Sequence, residues 1–155
     1  MTKAGGQGIV GSLFDRLTDL QPRNSREVVE PLSDQIRLLK TRVARDLTDL
    51  LNTRRSEADI PEEFEQTRDS VAAHGVQDFT TAPVDRESVR RAIERSVRQF
   101  EPRLTRVHVS LTESSDFVFT FRISGAIRVD MGFEPVVYDA ELPVESRRFK
   151  VTPGR

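Results

Sequence analysis

The sequence predicts an α+β domain: two main helices plus short helices packed on one face of a three- to four-stranded antiparallel sheet. Three observations carry that expectation. Apolar residues recur every three or four positions over 32–50 and again over 89–100, which places them along one side of a helix. From Thr105 onward the period switches to two, as in a strand with one face in a core. Helices first and strands later is the order of an α+β chain.

The bulk numbers agree with one domain. A chain of 155 residues suits a single hydrophobic core. With 36% hydrophobic and 32% charged residues, that core is small and the solvated or partner-facing surface large. The strong patterning of the apolar residues speaks against full disorder. A net charge of -1 gives no general attraction to polyanions. There is no cysteine, which excludes disulfides and thiolate metal sites. Met1-Thr2-Lys3-Ala4-Gly5-Gly6 opens without an apolar signal region, and no run approaches the roughly 18 apolar residues of a membrane span. A cytoplasmic location without membrane insertion is the expectation.

The elements follow in order. Residues 1–11 are Gly-rich and read as a disordered tail, with 12–155 forming the single domain. Leu13, Phe14, Leu17 and Leu20 give a short amphipathic helix, broken at Gln21-Pro22. Too short to stand alone, it must dock on the core or in a partner's groove. The longest helix runs from near Pro31 to near Thr53, with the stripe Leu32, Ile36, Leu39, Val43, Leu47, Leu50. Pro31 fits a first turn. Asp46 and Asp49 stand in the C-terminal half, where the helix dipole disfavours acid, and Arg54 and Arg55 restore the favourable sign. Over 56–84 a short helix starts at Pro61, with Phe64, Val71 and Ala72 facing inward. His74 to Phe79 reads as a turn in which Gly75 supplies a positive φ.

A second clear helix runs from the N-cap Asp85 to Phe100, with the stripe Val89, Ala92 or Ile93, Val97, Phe100. Its outer face carries Arg86, Arg90, Arg91, Arg95 and Arg98, with Glu87–Arg91 and Glu94–Arg98 at i,i+4 spacing. Val107, Val109 and Leu111 begin the strands. Phe117, Phe119, Phe121 and Ile123 follow, and the pattern resumes at Ile127 and Val129. Gly125 between them reads as a bulge or bend. Val136, Tyr138, Ala140, Leu142 and Val144 make a third strand, and Phe149 and Val151 a short fourth.

Catalytic and cofactor chemistry finds little support. Gly6, Gly8 and Gly11 form a G-x-G-x-x-G, but no strand fits before it and no βαβ unit follows. His74 and His108 are far apart and lack metal-ligand spacing, so they read as a loop and a strand histidine. There is no nucleophile elbow, P-loop or cysteine nucleophile. Glu101 and Asp78 sit at element boundaries and are the least ordinary candidates for a glycosidase pair, though caps and ion pairs are the commoner use of such carboxylates. The prediction is no catalytic residue, no metal, no cofactor and no small-molecule substrate. The basic helix face lacks aromatics for base stacking, so a solvated face or an acidic protein partner is favoured over nucleic acid.

The corner Phe100-Glu101-Pro102-Arg103-Leu104 is the most informative stretch. Pro102 forces Glu101 out of the α region and ends the helix. Having no N–H, it also delays the strand. Leu104 then restarts apolar contact. Glu101 and Arg103 flank a rigid turn. Either they form a corner salt bridge, worth little if exposed, or Arg103 is presented in fixed geometry to a carboxylate on another chain.

Over roughly residues 12–151 the chain resembles the TssE-like family, the baseplate wedge subunits of type VI secretion systems, and through it the small wedge protein of contractile phage tails. The resemblance rests on Ser12-Leu13-Phe14-Asp15-Arg16-Leu17, on Val43 to Arg55, on Gly75-Val76-Gln77-Asp78-Phe79, and on Phe100-Glu101-Pro102-Arg103-Leu104. The family usually shows Tyr-Gly-Leu-Pro-Asp where this chain has His74-Gly75-Val76-Gln77-Asp78. The resemblance implies a structural, non-enzymatic subunit. Its partners would be the baseplate proteins TssF, TssG and TssK and the sheath proteins TssB/TssC. It implies a wedge contact at Glu101, Pro102, Arg103 and Leu104, and sheath docking on an exposed strand edge. Members have been labelled lysozyme-like, so a peptidoglycan hydrolase is one alternative. A soluble anti-adaptor regulator sharing the fold is another, because fold alone does not fix function.

Overall fold

The long apolar stripe forms α1, Leu32–Asn52. In the computed structural model the described residues are 31–55, 74–77, 85–115, 117–129 and 132–154. The expected tail over 1–11, the helix over 12–20 and the helix starting at Pro61 lie outside them. Leu39, Val43, Leu47 and Leu50 of the stripe are buried, together with Ala44 and Leu51. Leu32, in the first turn, is 46% exposed. Pro31 is the N-cap itself, and its carbonyl accepts from the Asp34 and Gln35 amides. The last turn of α1 contains no basic residue. Arg54 and Arg55 lie beyond the C-cap Thr53 and form a two-residue strand, β1 (Arg54–Arg55).

β1 pairs in parallel with β2, Val76–Gln77, with Arg54 opposite Val76. The segment read as a turn is therefore a strand at residues 76 and 77. Gly75 does adopt the positive φ, 113°. A Cβ there would overlap the Thr53 carbonyl oxygen, so only glycine lets the two segments meet.

α2 spans Arg86–Phe100. The Asp85 carboxylate accepts from the amides of Glu87 and Ser88 at 3.3 and 3.0 Å, satisfying two orphan donors of the first turn. Val89, Ile93 and Val97 are buried, so Ile93 rather than Ala92 continues the stripe. Ser96 is buried too and donates to the Gly75 carbonyl at 3.0 Å, tying α2 to β2.

Four antiparallel strands complete the domain in the order β3-β4-β5-β6: Leu104–Ser114, Val118–Val129, Gly132–Pro143 and Lys150–Pro153. One face carries Val107, Val109, Phe121, Ile123, Tyr138 and Ala140, which join the buried residues of both helices in one core. The other face carries polar groups such as the Arg122–Asp139 ion pair at 3.0 Å across β4 and β5. Alternation along each strand produces this division.

Three details of the strands differ from expectation. The β4–β5 ladder runs unbroken through Gly125, which faces Val136. The bulge is instead in β3, where Thr105 faces Ala126 and His108 faces Ser124, leaving Arg106 and Val107 opposite Gly125. Arg106 takes a φ of 54°, and a Cβ on Gly125 would lie 3.0 Å from the Thr105 carbonyl oxygen. Gly125 thus makes room for its neighbour's bulge. Phe117 lies outside the strands, 77% exposed, and Val144 is exposed beyond the end of β5. The Val144 amide donates to the Phe117 carbonyl at 2.8 Å, joining the two segments beyond the ends of β4 and β5.

Both outer strands have backbone groups taken by helix side chains. At β6, the Asn52 side-chain amide donates to the Phe149 carbonyl and accepts from the Phe149 N–H, each at 2.9 Å. It pairs with Phe149 as a neighbouring strand residue would. Thr48 Oγ1 accepts from the Val151 amide at 3.3 Å. At β3, Arg98 donates to the Val107 carbonyl at 3.2 and 2.8 Å, and Arg90 to the Val109 carbonyl at 3.1 Å. The exposed strand edge expected for sheath docking is therefore partly occupied on both sides.

Candidate interaction site

Pro102 builds the corner as the sequence predicts. Glu101 caps α2 with φ -117° and ψ 78°, its N–H still reaching the Val97 carbonyl at 3.0 Å. The Leu104 amide then donates to the Glu101 carbonyl at 3.1 Å and starts β3. Pro102 is exposed at the apex, while Leu104 is buried in the core.

The side chains fold back over this turn. Glu101 Oε1 accepts from the Arg103 backbone N–H at 3.2 Å and from Arg103 Nε at 2.7 Å, and Oε2 accepts from Nη2 at 2.5 Å. Two parallel guanidinium bonds to one carboxylate give a fixed fork. Nη2 also donates to Asp46 Oδ2 of α1 at 2.7 Å. The other Asp46 oxygen accepts from Arg45 at 3.0 and 3.2 Å. Residue Glu101 is only 4% exposed, and the side chains of Arg103 and Asp46 are 20% and 26% exposed. This is more than the solvent-screened corner bridge that the sequence allows. It is a half-buried triad that clamps the corner to the long helix.

Its electrostatics are one-sided. The bond to Glu101 is the main cause that raises the Arg103 pKa further above its ordinary value, with Asp46 adding to it. Behind the triad stands Tyr138 of β5, whose hydroxyl is buried. Burial, then the negative charge of Glu101, raises the Tyr138 pKa, and Arg103 partly offsets this. Neither Tyr138 Oη nor Arg103 Nη1 has a hydrogen-bond partner among the described residues, though both are buried.

The family model for baseplate wedge protein gp25 matches residues 37–131, well over half of the chain. The chain belongs to this family. Comparisons with curated proteins and with solved structures returned no match. The match runs from α1 into the segment after β4, so it takes in both halves of the triad. Membership gives the chain a structural baseplate role in association with other baseplate proteins.

The other sequence candidates are placed as follows. Asp78 lies outside the described residues, as do Gly6, Gly8 and Gly11. Glu101 and Asp46 do form a pair of carboxylates, yet the Arg103 guanidinium fills the space between them where a glycosidic bond would have to lie. His74 packs edge-on against Phe100 with ring centroids 5.1 Å apart, and His108 is on the exposed face of β3. Among the described residues no group of three acidic or histidine side chains gathers to hold a metal, and no helix is long and apolar enough to cross a membrane. The basic face of α2 is laced with acid: Arg90 sits between Glu87 and Glu94, and Glu94 also meets Arg98.

Asp46 is the member of the site that sequence reasoning missed. It is 57 positions from Arg103, and only folding joins them. A signal was present: an acid where the helix dipole disfavours one needs a local cation, and Arg103 is that cation.

Proposed function

We propose that this chain is a cytoplasmic structural subunit of a type VI secretion baseplate wedge. In this reading it binds TssF and TssG in company with TssK, and offers a platform on which the TssB/TssC sheath begins to assemble. The observation that carries the reading is membership of the gp25 family by a match that spans the rigid corner. In this reading the corner supplies the contact. Glu101 and Leu104 are buried and act from within, while Pro102 and the surface part of Arg103 face outward. Asp46 and Glu101 hold Arg103 in one geometry, so little side-chain entropy remains to be lost on binding. A sheath strand added to this sheet has to displace Arg90 and Arg98 at β3, or Thr48 and Asn52 at β6.

Co-expression with TssF and TssG followed by affinity capture tests the proposal. The wild-type chain should retain both proteins. Pro102→Glu adds a charge at the exposed apex and removes no triad side chain, so it should lose them while melting within a few degrees of the wild type, the melt being the check that the corner survives without its proline. Capture of neither protein by the wild type removes the wedge assignment. Full capture by the folded Pro102 variant removes the corner from the interface.

A further inference from the structure

We propose that Arg90 and Arg98 are guards that keep the β3 edge from pairing with the β3 edge of a second copy of this chain. An edge strand presents a row of backbone groups that template another strand. β3 is the longer of the two edges, with eleven residues against four in β6. β6 is closed by neutral, half-buried side chains of α1. β3 is closed by two guanidiniums lying on the carbonyls of Val107 and Val109.

These guanidiniums are held in place from behind. Arg90 bonds to Glu87 at 2.9 and 2.7 Å and to Glu94 at 2.6 Å, and Arg98 pairs with the same Glu94. Only 16% of the Glu94 side chain is exposed. Of the two i,i+4 pairs noted in the sequence, Glu94–Arg98 therefore aims one arginine at the strand, and Arg90, held by Glu87 and Glu94, is the second. The bulge at Arg106 and Val107 twists the edge at the same point, a second protective device.

The geometry selects a second copy as the excluded partner. Along a strand, the N–H and C=O of one residue point to the same side. A twofold axis at His108 sets Val107 of each copy opposite Val109 of the other, so each guarded carbonyl meets an outward amide. That arrangement is isologous, as a closed dimer requires. It also brings two arginine-rich helices together, so like charge reinforces the guard in the wild type. Without Arg90 and Arg98 the face retains Glu87 and Glu94 against Arg86, Arg91 and Arg95, so most of its excess positive charge is gone.

Sedimentation velocity on the full chain tests the proposal, with circular dichroism as the check of folding. The wild type should sediment as a monomer. Arg90→Ala/Arg98→Ala should self-associate at least tenfold more tightly. Arg91→Ala/Arg95→Ala removes the same charge from the same helix without touching a strand carbonyl, and should associate far more weakly than the guard-free variant. The chain has no cysteine of its own. His108→Cys added to the guard-free variant should therefore cross-link to its copy on oxidation, at the twofold axis. Three results would overturn the proposal: a folded guard-free variant that stays monomeric, equal association of the charge control, or a wild type that is already dimeric. If the double variant does not fold, Arg98→Ala alone frees the Val107 carbonyl, and its failure to associate above the wild type would count equally against the guard.

Discussion

Arg103→Ala separates a buried ion triad from a surface one. The substitution strips Glu101 of two guanidinium bonds, at 2.7 and 2.5 Å, and Asp46 of one. The two carboxylates respond differently. Asp46 is about a quarter exposed and keeps Arg45, so water replaces most of what it loses. Glu101 is 4% exposed and retains only the backbone N–H of residue 103 at 3.2 Å. Removing one member of a buried pair typically costs about 3–5 kcal/mol. The low end applies because Arg103 is partly at the surface. In a domain of this size about 3 kcal/mol lowers Tm by roughly 6–12 °C. Thermal melts followed by far-ultraviolet circular dichroism measure it directly. Asp46→Asn leaves the Glu101 fork intact and should cost no more than about 1 kcal/mol. Replacing Glu101 and Arg103 together by leucine should cost less than Arg103→Ala alone, because no unpaired charge is left buried. If Arg103→Ala melts within about 2 °C of the wild type, roughly 1 kcal/mol or less, the triad does not bear on stability and the reasoning fails. If it falls as expected, lost assembly in that variant reports the fold as well as the contact, so Pro102 is the better probe of binding.

Four further outcomes follow from features described above. Tyr138→Phe removes a buried hydroxyl without a partner among the described residues and should leave stability unchanged or raise it by up to about 3 kcal/mol in urea denaturation; a loss would mean that the hydroxyl is bonded. The raised Tyr138 pKa means that stability is complete below the unfolded value of 10.0 and declines as pH rises above it, so tyrosinate absorbance from the chain's single tyrosine should appear together with unfolding and not before it. Gly75→Ala meets both a φ of 113° and the Thr53 carbonyl, and should lower stability by at least about 1–3 kcal/mol, read from the urea midpoint. The bond from Ser88 is the main cause that holds the Asp85 carboxyl below 3.8; its contribution is therefore present above that pH and lost as pH falls through the folded value, and Asp85→Ala should flatten the acid dependence of helix content there.

The period of the apolar residues was enough to find both described helices and all four strands of the main sheet, because one-sided burial repeats along each element. It could not say where the core stops. Leu32 and Phe117 continue the apolar period, yet both are exposed. Two-residue strands carry no period, so β1 and β2 were invisible, although Gly75 marked the spot. Of the site, Pro102 made the corner legible, and Glu101 and Arg103 were its evident occupants. Asp46 was not, since pairing across 57 positions is set by packing and leaves only an indirect trace in the sequence. The bulge fell on β3 rather than at Gly125 because a glycine can serve the strand beside it.

The Asn52 amide ties one end of the chain's order of synthesis to the other. It sits at the end of α1 and completes its bonds only with Phe149, 97 positions later, and Thr48 waits for Val151 across 103. Contacts this distant in sequence are slow to form, because a long loop must close before they return anything. During synthesis α1 emerges early, and its apolar face, though met by β2 and α2 on the way, is not fully covered until β6 arrives. That interval, rather than the finished domain, is when the chain is most exposed to aggregation, and a binding partner or chaperone present then would act on α1.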